Sequence, residues 1–258
     1  MSVPSLGGTV ENSGTAGRAG PRLEELGWAR TPLGEVSLRR RWDPSLARDV
    51  YEIKLEDEFL MSSLFTAGEI ELAGAALARA PDGPIDVAVG GLGLGYTAQA
   101  VLAYPRVCSL VVVEAIEPVV DWNRRGLTPA GAALAADSRC HFVCGDFFAL
   151  AASAAGLDPD RPHRRFHAIV VDIDHSPRHL LHAAHATFYR PAGLRSLSRQ
   201  LRPGGVFALW SNEPPDDRFM DVLAEVFGEV AAEVVEFPNP LQERPAANTI
   251  YLARGGAV

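Results

Sequence analysis

The sequence predicts an α/β fold: a doubly wound, mostly parallel sheet of seven strands covered by helices on both faces. Three observations carry that expectation. Apolar runs such as IDVAVG, CSLVVVE, FHAIVV and GGVFALW recur between helix-compatible stretches, as buried parallel strands do. The segment Asp86 to Ala98, DVAVGGLGLGYTA, passes from a strand through three alternating glycines into a helix start. The next apolar run then ends at Glu114, about 20 residues on, where nucleotide-binding α/β folds place an acid that takes a ribose.

The elements follow in order. Residues 1–22 are rich in Gly, Ser and Thr and poor in large apolar groups, so a disordered tail is expected there. Residues 23–65 carry short strand-like runs, GEVSLRRRW and DVYEIKL, and predict an N-terminal β-hairpin or small sheet. The run Arg39, Arg40, Arg41 is expected at a solvated strand end. Residues 66–258 form the main domain. Thr66 is placed to cap a helix carrying Ile70, Leu72, Ala73 and Leu77, which Pro81 stops. Strands and helices then alternate to the chain end, where EVAAEVVEF and ANTIYLAR are expected as an antiparallel pair.

With 258 residues, 47% of them hydrophobic, the chain can bury one substantial core. A net charge of −8 argues against a nucleic-acid binder that works by phosphate neutralisation. Only three cysteines occur, Cys108, Cys140 and Cys144, beside apolar runs that predict buried thiols in a reducing compartment. They lack the paired spacing of a zinc site. No stretch reads as a leader or as a membrane span, so the protein is expected to be soluble and cytoplasmic.

Ligands in doubly wound sheets bind outside the carboxyl ends of the strands. That rule gathers Gly91, Gly93, Gly95, Glu114, Asp146 and Asp172 on one edge. The glycines allow close backbone approach to a bound nucleoside. A carboxylate can accept both hydroxyls of a ribose, and an aspartate can accept from an exocyclic amine.

The series GGLGLG, VVVEAIEP, CGDFF, IVVDIDHSP, HATFYRPAGL and LRPGGVFALW resembles the spermidine synthase family, the polyamine aminopropyltransferase branch of the Rossmann-like class I S-adenosylmethionine-dependent methyltransferase fold. The resemblance runs from about Gly34 to Leu252 and implies that S-adenosylmethionine or its decarboxylated form is the cofactor. It makes Glu114 the ribose acid, Asp146 the partner of the adenine amino group, and Asp172 the catalytic carboxylate that orients or deprotonates the attacking amine. An oligomer built through the N-terminal region is implied by the resemblance alone.

The chain also departs from the family pattern. The aspartate of the family's glycine loop, which holds the aminopropyl amine, is replaced by Gly93. Its Asp-Ser-Ser-Asp-Pro segment becomes Asp172, Ile173, Asp174, His175, Ser176 and Pro177. Ile116 stands for an acid, and the family's glutamine and Tyr-His-Glu features are missing from DEFLMSSLFTAGE. Loss of the loop carboxylate removes a like-charge penalty against the carboxylate of S-adenosylmethionine itself. The sequence therefore ranks methyl transfer to an amine or other small nucleophile ahead of aminopropyl transfer to a polyamine. A nucleoside-binding protein without catalysis is a third reading.

His175, His179, His182 and His185 recur at spacings of four, three and three residues, one helix face if that segment is helical. Asp174, His175 and His179 are the candidate acceptor-binding residues. A metal-dependent hydrolase on the histidine face is a more distant reading, and no metal site is assigned. Phe188, Tyr189, Trp122 and Trp210 are expected to be packing residues.

Overall fold

Apolar and polar residues alternate along the first strands, and the alternation builds an antiparallel sheet with one buried face. The computed structural model describes residues 23–239 and 245–255; the tail expected over residues 1–22 lies outside the described residues. Strands β1 (Leu23–Thr31), β2 (Gly34–Asp43), β3 (Arg48–Leu55) and β4 (Glu58–Ser62) pair in chain order. Val36, Leu38 and Ile53 turn inward and join the main-domain core. At about 2 kcal/mol for each buried side chain, they dock the small sheet firmly. The three arginines sit within β2, not at a solvated end. Arg40 pairs with Glu24, and Arg41 holds Glu52 at 2.9 Å and Asp43 at 2.8 Å, because acids on both flanking strands face them.

Helix α1 (Ala67–Arg79) follows, burying Leu72, Ala73, Ala76 and Leu77. Two expectations for it fail. Thr66 makes no side-chain cap bond, since its backbone (φ −124, ψ 4) is not in the extended form that aims a hydroxyl at the helix N–H groups. Ile70 lies on the exposed face of the helix.

The remaining strands are β5 (Ile85–Gly90), β6 (Val107–Glu114), β7 (Cys140–Cys144), β8 (Phe166–Val171), β9 (Leu201–Ser211), β10 (Glu229–Phe237) and β11 (Ala246–Arg254). Their spatial order is β10-β11-β9-β8-β5-β6-β7, with β11 antiparallel to both neighbours and β5, β6, β7, β8 and β9 parallel. Helices α2 (Tyr96–Leu102), α3 (Glu117–Arg124), α4 (Gly131–Ala136), α5 (Phe147–Ala152), α6 (Pro191–Ser198) and α7 (Asp217–Ala224) complete the layers.

Alternate residues of each central strand feed two cores. Val87, Val112, Val170 and Ala208 pack with α1 and the small sheet, while Val111, Ile169, Val171 and Leu209 pack against α5, α6 and α7. Trp122, Phe188 and Tyr189 are core residues, as expected. Strand order reverses on either side of β5, which opens the crevice that such sheets use for ligands between the ends of β5 and β8.

The cysteines are free, but Cys108 and Cys144 are exposed and only Cys140 is half-buried. Cys144 ends the edge strand β7, and Cys108 lies near the uncovered start of β6, so neither is sealed by a helix. Burial pushes the Cys140 thiol up to about 12. Among the described residues, no helix is long and apolar enough to cross a membrane.

Candidate functional site

The glycine loop leaves β5 directly over the end of β8. Gly91 has φ +93, and a Cβ there would stand 2.1 Å from the Asp172 carbonyl oxygen, so only glycine lets the two strand ends meet. Backbone bonds fix that meeting: Gly91 N–H donates to Val113 O at 2.9 Å and Asp172 N–H to Gly90 O at 2.9 Å. Gly93 (φ +48) lies under Met61 of the small sheet, whose Sδ would be 2.8 Å from an added Cβ and accepts from Leu94 N–H at 3.2 Å. Gly95 serves the fold. It precedes α2 at φ +92, with Leu134 and Ala130 filling the space of a side chain.

Glu114 ends β6 and reaches back to the loop. Its Oε2 accepts from Leu92 N–H at 3.0 Å and its Oε1 from Ile116 N–H at 2.9 Å. Burial pushes its carboxyl up, and the surrounding backbone N–H groups oppose that shift. Asp146 follows β7 and caps α5, its Oδ1 accepting from Phe148 N–H at 2.8 Å and Ala149 N–H at 3.3 Å, while the residue itself is exposed. Asp172 follows β8. Its Oδ2 accepts from the Thr97 hydroxyl at 2.7 Å, and burial pushes its carboxyl up against that bond. The structure thus brings the loop glycines, Glu114, Asp146 and Asp172 to one edge.

A residue missed in the sequence joins them. Glu69, in the first turn of α1, faces Asp172, and its carboxyl is pushed up to about 8 by burial and then by the Asp172 charge. Its neighbour Gly68 seats the helix start on the ends of β9 and β11. An added Cβ there would lie 2.5 Å from Asn248 Oδ1 and 2.6 Å from Trp210 Nε1. That indole nitrogen is buried without a hydrogen-bond partner among the described residues, and the ring packs against the core, as expected. The only cue to Glu69 in the sequence was an acid in a first helical turn, which complements the helix dipole in any case.

The acceptor residues separate. Asp174 is buried and turned inward: it accepts from Leu181 N–H at 2.7 Å and the Tyr189 hydroxyl at 2.8 Å, and pairs with His185 Nδ1 at 2.8 Å. With both oxygens engaged inside the loop, it is a positioning residue and does not face an acceptor. His175 Nε2 stands 2.8 Å from Glu58 Oε1 of β4, and its ring lies 5.0 Å from the exposed His179 ring. His182 caps a short 3-10 turn (Ala183–Thr187), and His185 stacks on Phe148 at 4.0 Å. The four histidines share no helix face, because the chain from His175 to His182 runs as bends, with Ser176 accepting from the Arg178 and His179 N–H groups and Asp174 accepting from the Leu181 N–H. Among the described residues, no group of three His, Cys, Asp or Glu side chains could hold a metal ion.

No family model matches the sequence. Solved structures do match its fold. The spermidine synthase from Thermotoga maritima aligns at 14% identity over 91% of this chain and 73% of that chain, with a TM-score of 0.66. A spermidine synthase in complex with the transition state analogue AdoDATO aligns at 15% identity over 91% and 73%, with a TM-score of 0.67. A probable spermidine synthase from Corynebacterium glutamicum ATCC 13032 aligns at 17% over 88% and 79%, with a TM-score of 0.60. By its seven-stranded sheet and its N-terminal antiparallel sheet alike, the chain has the spermidine-synthase form of the class I methyltransferase fold.

Proposed function

We propose that this chain is a transferase of spermidine-synthase type that takes an adenosyl sulfonium donor along the carboxyl edge of β5, β6, β7 and β8 and passes an alkyl group to an amine. The observation that carries this reading is the convergence of Glu114, Asp146 and Asp172 around a glycine loop that Gly91 lets pass against the Asp172 carbonyl. These residues fit a nucleoside. Glu114, which already fixes the loop, keeps lone pairs for a ribose diol, and exposed Asp146 has an oxygen to accept from an exocyclic amine. The donor supplies an electrophilic carbon next to a positively charged sulfur. The protein's part is then positioning, together with a carboxylate near the incoming nitrogen. Asp172, anchored by Thr97, is that carboxylate.

Of the two donors, the decarboxylated one has the better support. The structural neighbours are spermidine synthases, one of them in complex with the transition state analogue AdoDATO. The site also offers the acids Asp172 and Glu69 to a cationic amine. Aminopropyl transfer to a polyamine is therefore our preferred reading. One local observation favours the second reading, methyl transfer from S-adenosylmethionine: Gly93 and the Met61 thioether put no charge where an aminopropyl ammonium would need one.

Calorimetric titration of the full chain with each form of S-adenosylmethionine tests both. A tenfold preference, about 1.4 kcal/mol, chooses between the transfers. Binding of neither form overturns the donor site.

A further inference from the structure

We propose that Glu69 is a second acceptor-binding acid, and that Glu69 and Asp172 together receive the ammonium end of a short diamine and the proton it gives up; this rests on the transferase reading above. The geometry begins with Gly68. Because it has no side chain, the start of α1 lies against Trp210 at the end of β9 and Asn248 at the start of β11. Asp172 directly follows β8, whose Val171 pairs with Leu209 of β9, so Asp172 comes beside Trp210, on which the first turn of α1 rests. Glu69 is the next residue of that turn.

The charge balance of this corner asks for a cation. Each carboxyl disfavours ionisation of the other in this half-buried corner, and a positive charge between them relieves that repulsion. Among the described residues none is recorded acting on either carboxyl: Asp172 receives the Thr97 hydroxyl, and Glu69 its own backbone N–H. Arg48 of β3 is committed to the Leu64 carbonyl at 3.1 Å. Beside the same turn, the Trp210 indole N–H is buried without a hydrogen-bond partner among the described residues, a polar group that the packing of this corner leaves unsatisfied.

The chemistry balances. The bound ammonium gives one proton to the carboxyl pair, which frees the nitrogen lone pair. A C–N bond forms as the donor's C–S bond breaks, and sulfur keeps that electron pair. The new secondary nitrogen carries the positive charge that sulfur lost, and the pair returns its proton to water as product leaves.

The test uses the full chain, wild type and Glu69→Gln, titrated with 5′-methylthioadenosine and then with 1,4-diaminobutane in the presence of that nucleoside. The diamine titration is repeated in buffers of different ionisation enthalpy to count protons. We expect Glu69→Gln to bind the nucleoside within twofold of wild type, to lose diamine affinity tenfold or more, and to lose the proton release that accompanies diamine binding near pH 7. Equal diamine affinity in the two proteins, unchanged proton release, or nucleoside binding without diamine binding in wild type each overturns this inference alone. Wild type that binds no nucleoside overturns the transferase reading and this inference with it. Thermal unfolding of Glu69→Gln at or above the wild-type temperature at pH 8 separates a lost contact from a lost fold.

Discussion

His175 and Glu58 stand 2.8 Å apart, Nε2 to Oε1, and join the loop after β8 to the last strand of the N-terminal sheet. The two residues are 117 positions apart in sequence, and their contact ties the small sheet to the loop that follows Asp172. Glu58 is nearly half exposed, so the pair is worth about 0.5–1 kcal/mol. Its value is geometric. Glu58→Gln and His175→Ala should each raise the acceptor KM severalfold while nucleoside affinity stays put. Steady-state kinetics checks this, and a double-mutant cycle with no coupling would refute the link.

Gly91 and Gly83 make a controlled comparison. Both have φ above +90, but an added Cβ at Gly83 meets open space, and at Gly91 it meets the Asp172 carbonyl. Gly83→Ala should cost about 1 kcal/mol and leave nucleoside binding intact. Gly91→Ala should cost about 3 kcal/mol or more and abolish binding. Urea unfolding and calorimetry report the two effects. Similar costs at the two sites would show that contact with β8 is not what constrains the loop.

The pH dependence of stability follows from Glu69. Its carboxyl ionises near the ordinary 4.5 in the unfolded chain and near 8 in the fold. Between those values the unfolded state releases a proton that the folded state keeps, so the contribution is full below 4.5 and is lost as pH rises through 8. Glu69→Gln should match wild type at pH 4.5 and exceed it by about 1–3 kcal/mol at pH 8 without ligand. Thermal melts at the two values decide; equal stability at pH 8 would mean Glu69 is solvated.

Gly93→Asp probes the donor tail. At φ +48 an aspartate is better tolerated than most residues, and the atom in its way is the flexible end of Met61. The added charge should lower affinity for S-adenosylmethionine about tenfold by repelling its carboxylate, and spare or improve the decarboxylated form. An unchanged ratio of the two affinities would place the tail elsewhere.

The sheet was legible because buried parallel strands write themselves as unbroken apolar runs, and the strand-end acids followed from the rule about carboxyl ends. Asp174 was not separable from Asp172 in the sequence. Both are acids two apart after one strand, and only the inward turn of the loop onto Tyr189 and His185 distinguishes them. The histidine spacing suggested a helix because periodicity ignores the local competition won by Ser176 and Asp174. Glu69 was hidden because its role depends on Gly68 packing against strands that come some 140 residues later or more.

The buried Asp174 knot divides the loop after β8 into two kinds of position. The chain from His175 to His182 is tethered from within by a buried acid and from without by the contact of His175 with Glu58. Exposed positions of that stretch, such as His179, can change identity over evolution, or in a designed library, without loosening the meeting of Gly91 and Asp172 at the strand ends. On the transferase reading, the choice of what receives the group can drift while the strand-end residues that would hold the donor stay as they are.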